Sequence, residues 1–497
     1  MSERWQSVKA SIISHGGYHD SWQISAMVLV KGTALIYLIA FSSLWVQIQG
    51  LYGTEGILPI QDFMRQIQQV KLPFWELPSI FWISQEDWFL NLICACGILT
   101  SIFAMIGLLP ILTMAVSWYL YLSVCLVGQD FIPFQWDTFL CEIGFLAIFL
   151  NPFKIYDFSK GKTSQLIIWL LWLLLFKLMF GSGVVKIASN DPSWLNLTAL
   201  SFHYESQPIP NPGAWLLAQL PGWFHTTSVG FTFVVELLLP FGILLGRRPR
   251  YFVFLGFFLL QILIMFSGNY GFFNLVTTVL LFSLLDDAVF YSRFPTLRKK
   301  LQPHEPSDHS VLLWLRRCVA TIIVGLYSFH FLVLPNLIPN QDYVLKDLYR
   351  LPKRLMIFNT YGLFAVMTTN RPEMIVEGSH DGQNWKPYIF QYKIQQTDQI
   401  PPIIWGHMPR LDWQMWFLQF RPCAQNRWIQ GLVYRLLIDS QPVLDLLQEN
   451  PFAGKAPRYI RVNQYNYRFT SWAEQAKSGN YWERSFTKPY CPIMSLK

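Results

Sequence analysis

Residues 175–194, LFKLMFGSGVVKIASNDPSW, place two lysines in a helix otherwise suited to lipid. Lys177 falls near the middle of an apolar run from Leu166 to Lys186. A charge at that depth is costly unless it is paired or hydrated. Glu142 and Glu236 lie in other apolar segments and are the natural counter-charges. Lys177, Glu142 and Glu236 therefore read as a buried charge network. It either locks helix packing as an ion pair or forms a polar path for a proton, a substrate or a lipid headgroup. Lys186 follows nine residues later, on the opposite helix face at about 100° per residue. Ser182 and Gly183 make its face small, which permits close helix contact. Such a lysine is either an interfacial anchor favoured by the helix dipole or, in a dry pocket, a base with a lowered pKa.

The elements that position these groups follow from composition. Only 14% of the 497 residues are charged and 53% are hydrophobic, against about 25% charged in an ordinary soluble domain. The chain is expected to be a polytopic α-helical membrane protein. Nine spans are read, at 25–48, 88–107, 109–127, 137–152, 165–186, 228–246, 251–268, 271–288 and 311–333. The fourth is short and holds Glu142; the eighth is short and ends in Asp286 and Asp287. The first apolar run is too long for a cleaved signal peptide. With the N-terminus inside, twelve Lys and Arg fall in inner loops, among them Arg4, Lys154, Arg247, Arg250 and Lys299. Three, Arg65, Lys71 and Lys186, fall outside. This bias favours a cytoplasmic N-terminus and an extracytoplasmic C-terminus. The net charge of +8 thus reflects topology, and no basic run interleaved with aromatics points to nucleic acid.

Two outer loops are long, 49–87 and 187–227. The second contains SFHYESQPIPNPGAW, in which Asp191, Trp194, His203, Tyr204, Glu205 and Gln207 form a polar and aromatic motif. Its alternating prolines favour an extended rod, and AWLLAQLPGWF reads as a short amphipathic piece at the interface. Asn196-Leu-Thr198 is a glycosylation sequon.

Domain organisation divides at about residue 335, giving a membrane domain at 1–334 and an extracytoplasmic domain at 335–497 of α+β or β-sandwich type. Strands are read at 373–378, 386–393 and 457–470, and helices at 412–420, 428–438 and 442–448. Cys423 and Cys491 alone lie in this polar part and could pair in an oxidising compartment. Trp413 and Trp416 are either core of a packing helix or an exposed patch for a partner or the membrane face.

No metal-ligand spacing, hydrolase elbow, zincin motif or phosphate loop is present, and no metal or cofactor is implied. Taken together, GSGVVK at 181–186, DPSW at 191–194, LTALSFHYESQPIPNP at 197–212 and FQWDTFLCEIGFL at 134–146 resemble the lipase maturation factor family. So do NRPE at 370–373, GSHDGQNW at 378–385 and PRLDWQMW at 409–416, and the resemblance runs over nearly the whole chain. It implies a multi-pass protein of the endoplasmic reticulum, or of the inner membrane in a bacterial relative. Its role would be to assist folding and assembly of exported lipases, with membrane lipid and a lipase-like client as partners. A shorter similarity, Gly183, Lys186, Asp191 and Trp194, is to vitamin K-dependent carboxylases, membrane enzymes with a catalytic lysine. Three readings follow: a non-catalytic maturation factor, a membrane enzyme using Lys186 as base, and a transporter using the charge network.

Overall fold

The computed structural model describes residues 22–150, 163–294, 310–333, 350–452 and 454–496. Among these, ten helices matter for the site: α1 (Gln23–Trp45), α2 (Asp87–Ile106), α3 (Pro110–Val127), α4 (Gln135–Ile148), α5 (Gln165–Ala188), α6 (Ala199–Ser206), α7 (Gly222–Phe233), α8 (Arg247–Ser267), α9 (Phe273–Leu281) and α10 (Ser310–Val333). Seven helices are long and apolar enough to cross a membrane, or eight if α9 and the bent helix after it, Asp287–Arg293, form one span.

The difference from the nine expected spans is α4. Its 14 residues, at about 1.5 Å each, reach about 21 Å, short of the roughly 30 Å hydrocarbon thickness. Most of its side chains are buried by neighbouring helices, so its ends need not meet lipid. It still runs between the two ends of the bundle. At one end Ser164 N–H donates to Leu150 O, Thr163 Oγ1 to Trp22 O and Arg316 Nε to Phe149 O. At the other, Asp137 of α4 meets Arg410 of the C-terminal part.

The end holding Trp22 is closed by charge. The first N–H groups of any helix have no intrahelical partner. In α1 those of Gln23 and Ile24 donate to the Asp287 carboxylate, each at 2.9 Å. Asp286 beside it receives Arg247 at 2.8 Å and Arg250 at 3.3 Å. Of the basic residues used for orientation, Arg4, Lys9, Lys154, Lys160, Lys162, Arg298, Lys299 and Lys300 lie outside the described residues.

The sheet domain sits at the opposite end. Strands β1 (Arg371–Ser379), β2 (Lys386–Pro387), β3 (Ile389–Phe390), β4 (Leu447–Glu449), β5 (Tyr459–Phe469) and β6 (Trp482–Met494) form a four-stranded antiparallel sheet, β2-β1-β5-β6, and a β3-β4 pair. Register is set by apolar partners such as Val376 opposite Val462. With helix α11 (Arg427–Leu437) and shorter turns this is an α+β domain. The strand expected at 386–393 is two short pieces, and the helix expected at 442–448 stops at Leu444 and gives way to β4. A disulfide joins Cys423 to Cys491 of β6.

Docking of this domain is tight. Arg410 Nη1 and Nη2 each lie 2.7 Å from one oxygen of Asp137, and all of these groups are buried. Such bidentate guanidinium–carboxylate pairing fixes orientation as well as contact. Met408 and Arg410 backbone N–H groups donate to Ser43 Oγ and Gln47 Oε1 at the end of α1.

Candidate functional site

The two lysines occupy separate environments. Lys177 Nζ is 2.5 Å from Glu142 Oε1. Tyr327 and Tyr361 hydroxyls donate to the same carboxylate, and Asn359 Nδ2 adds a bond at 3.0 Å. The ammonium also sits 4.0 Å from the Tyr327 ring centroid, a favourable cation–π distance. Both side chains are almost fully buried. This is a closed and satisfied ion pair. Two of its supports, Asn359 and Tyr361, come from beyond residue 335, so the C-terminal part helps to seal the bundle.

Glu236 is not in that cluster. It pairs with Lys186, whose Nζ lies 2.8 and 2.9 Å from its two oxygens. The single network expected from Lys177, Glu142 and Glu236 is thus two independent pairs. Lys186 is not an interfacial anchor either, being buried with only 6% of its surface exposed. Its approach to Glu236 depends on Gly183, where a Cβ would lie 2.6 Å from Leu237 and 3.1 Å from Glu236. The approach also depends on a local break in α7. Pro240 has no N–H to return to the carbonyl of Glu236, four residues back. Around that gap α7 passes through a π turn at Val234–Leu238 and a 3-10 turn at Leu239–Ile243. Single π turns of this kind are frequent at functional sites, and Glu236 lies within this one.

The outer-loop motif surrounds this pair and ties it to the sheet domain. Trp194 lies with its ring centroid 5.2 Å from Lys186 Nζ, and its indole N–H donates to Phe364 O. Asp191 caps the following turn through Ser193 N–H and accepts from Met367 N–H at 2.6 Å. Glu205 accepts from Phe469 N–H of β5 at 2.6 Å, and burial raises its pKa. Arg371 of β1 donates to Glu205 O, Gln207 O and Pro208 O and pairs with Glu373. The proline run is therefore packed beneath β1 and buried. The piece expected to lie at the interface divides into the helix Pro212–Ala218 and the first turns of α7, which begins at Gly222. Asn196 is exposed.

His203, Tyr270 and Gln207 form a directed chain. The Gln207 amide nitrogen donates to Tyr204 O and Ser267 O, so its oxygen accepts the Tyr270 hydroxyl at 2.7 Å. Tyr270 has then spent its only proton and accepts from His203 Nε2–H at 2.8 Å. His203 is held neutral, with Nδ1 as a buried acceptor that has no partner among the described residues. Burial, with the Lys186 charge as a smaller cause, lowers its pKa to about 4. Gly268 makes the chain possible, since a Cβ there would lie 2.0 Å from Gln207 Oε1. Tyr204 is buried nearby, and burial pushes its hydroxyl up to about 12.

Lys186, Glu236, Trp194, His203 and Tyr270 share a cavity of about 610 Å³. Its remaining wall is largely apolar and comes mostly from α7 and α8, with Phe231, Leu260 and Ile264 among the side chains, and in smaller part from Leu200, Phe273 and Phe364. Among the described residues no group of His, Cys, Asp and Glu has the arrangement of a metal site.

Trp413 and Trp416 are not a surface patch. Trp413 is 3% exposed and packs edge-on against Trp136 of the bundle. Trp416 donates its indole N–H to Ser206 O at 2.7 Å. Both belong to the seam between the bundle and the sheet domain. Sequence reasoning missed the Asp137–Arg410 pair, the Asp286 and Asp287 caps and the tyrosines around Glu142. The first two were present as charges in recognisable motifs, but nothing in their spacing says that residues 273 positions apart meet.

The fold and site define a polytopic helical membrane protein whose bundle carries a docked antiparallel-sheet domain and an internal cavity at their junction. Residues 24–292 match the family model of the lipase maturation factor transmembrane domain, and residues 357–492 that of the lipase maturation factor C-terminal domain. Lipase maturation factor 2 of Rattus norvegicus is 34% identical over 96% of this chain and 84% of the relative. That of Xenopus laevis is 35% identical over 95% and 83%. Lipase maturation factor 1 of Mus musculus is 34% identical over 95% and 88%. The chain belongs to the lipase maturation factor family. No solved structure matches it.

Proposed function

We propose that this protein assists the folding or assembly of exported lipases as a non-catalytic membrane scaffold, with its sheet domain on the lumenal or periplasmic side. The observation that carries the reading is relatedness to lipase maturation factors over about 95% of the chain, in both the bundle and the sheet domain. Two features support the orientation. The Cys423–Cys491 bridge suits an oxidising compartment, and Arg247 and Arg250 cluster at the opposite end of the bundle. The packed Lys177–Glu142 pair fits a scaffold and offers no aqueous ion path, which disfavours a transporter. Lys186 Nζ is engaged by both oxygens of Glu236, which favours a structural role over that of a base.

The test is rescue. Cells lacking their own lipase maturation factors would express a secreted lipase with or without this chain. The expected result is a several-fold gain in activity per mass of secreted lipase. No gain, with the chain present in the membrane at normal level, would contradict the proposal.

A further inference from the structure

We propose that residues 400–405 of the sheet domain, Ile-Pro-Pro-Ile-Ile-Trp, are a membrane anchor that seats Ile400, Ile403 and Trp405 in the lipid–water interface on the domain's own side of the bilayer. The inference is independent of the maturation role and rests on exposure, position and backbone chemistry.

Exposure comes first. Ile400, Ile403 and Trp405 are 56%, 62% and 86% exposed. Single apolar side chains on a surface are ordinary, but three so close together form a patch that needs a covering. No charged residue lies between Asp398 and Arg410, so nothing in the segment calls for an ionic partner.

Position says what covers the patch. Asn269, just beyond the end of α8, donates to Pro402 O at 2.8 Å and accepts from Ile404 N–H at 2.9 Å. A Cβ on Gly406 would lie 3.1 Å from Ile39 of α1 and 3.8 Å from Leu275 of α9. The loop therefore crosses from the end of α8 to the flanks of α9 and α1. Ile39 shares a helix face with Leu35, one turn earlier, which is 41% exposed on a candidate membrane span. The loop thus continues a face that meets lipid. Ile39 lies about 9 Å inside the Trp45 end of α1, at 1.5 Å per residue, and interfacial segments sink roughly 5–10 Å. Trp45, Trp88 and Trp223 stand at the same end of α1, α2 and α7 and are likewise exposed. Tryptophans gather in this way at a membrane interface, and Trp405 adds one from the sheet domain.

Backbone chemistry sets the depth. Lipid tails cannot serve backbone N–H groups. Pro401 and Pro402 have none, and Asn269 serves that of Ile404. The other amides of the loop are met at the headgroup level, where water is present, so the loop enters the interface and does not cross the bilayer.

The experiment uses the full-length protein in phosphatidylcholine nanodiscs, with a small environment-sensitive fluorescent amino acid in place of Trp405 or, in a second protein, of Ile403. Phosphatidylcholine carrying a nitroxide near the head of its acyl chain should quench both probes roughly three-fold more than the same lipid with a nitroxide at the chain end, as interfacial depth requires. Iodide in the water should quench weakly. Strong quenching by iodide with little from either lipid would place the loop in water and overturn the proposal. Quenching by none of the three would show that protein covers the patch and would overturn it too. Both positions are exposed, so either probe is expected to leave the fold intact, and one folded probe protein suffices to decide.

Discussion

Lys186 and Glu236 come from helices whose backbones approach only because Gly183 has no side chain, and the lysine reaches both carboxylate oxygens at 2.8 and 2.9 Å. The pair is buried, so its two members are interdependent. Removing one leaves a charge without water or partner, which costs about 3–5 kcal/mol, whereas replacing both with apolar groups of similar volume is often close to neutral. Glu236→Leu alone should therefore sharply lower the thermal midpoint of the detergent-solubilised protein, and Lys186→Met with Glu236→Leu should recover most of it. A double variant no more stable than the worse single would show that the pair is not what the two residues contribute.

The Lys177–Glu142 cluster makes a different prediction. Glu142 accepts from Lys177, Tyr327, Tyr361 and Asn359. Tyr361→Phe removes one bond to a charged acceptor, worth about 1.5–3 kcal/mol, and should lower stability modestly. Glu142→Gln strands Lys177 and should cost more. Thermal unfolding of the two variants side by side checks the order; equal effects would mean that the carboxylate charge is not required there.

Arg410 and Asp137 join the sheet domain to the bundle. Arg410→Met should leave Asp137 buried and unpaired and loosen the seam without unfolding the sheet. Amide exchange at Met408 and at position 410, whose N–H groups donate to Ser43 and Gln47 of the bundle, should then quicken, while exchange along the β1–β5 pairing stays as in the parent. Unchanged exchange at both amides would show that other contacts hold the domain.

Cys423 and Cys491 are 68 residues apart in sequence. A closed loop of that length is worth up to about 4 kcal/mol through the unfolded state. Cys491→Ser should destabilise β6, read as faster amide exchange along Trp482–Met494. Protein taken from cells without reduction should show no free thiol at either cysteine, and a free thiol there would argue against an oxidising compartment.

Acid should weaken the site. The folded-state pKa of His203 lies near 4, below the ordinary value of about 6.5. A depressed pKa contributes stability that is present above about 6.5 and is lost as pH falls toward 4. The groups facing His203 are Lys186, Tyr270 and Tyr204, and none of them ordinarily titrates in that window. The thermal midpoint should drop between pH 6.5 and 4, and His203→Gln should flatten that limb. An equally steep limb in the variant would assign it to other groups.

Much of this was legible in the sequence, for physical reasons that also mark where legibility ends. The apolar spans follow from composition because lipid demands long uncharged helices. Lys177 had to find an acid because a lone charge at that depth is costly. Which acid was not legible, since Glu142 and Glu236 both sit in apolar segments and the choice depends on helix packing. Glu236 sits in a π turn that leaves no pattern in the sequence beyond Pro240. The tyrosine-rich strand β5 was readable from its alternation. Strand β6 was not, because residues 483–489 are all exposed and carry no period of burial. Trp413 and Trp416 left two readings open, and burial decided for the seam.

The central claim is that Lys186 holds the bundle together and does no chemistry. The direct measurement is lipase rescue by Lys186→Arg and Lys186→Ala at matched membrane levels. Arginine keeps the charge and the bond to Glu236 but cannot act as a base near neutral pH. The account predicts substantial rescue by Lys186→Arg and little by Lys186→Ala. Complete loss in Lys186→Arg, with the protein folded and present at normal level, would contradict it and point to a base at this position.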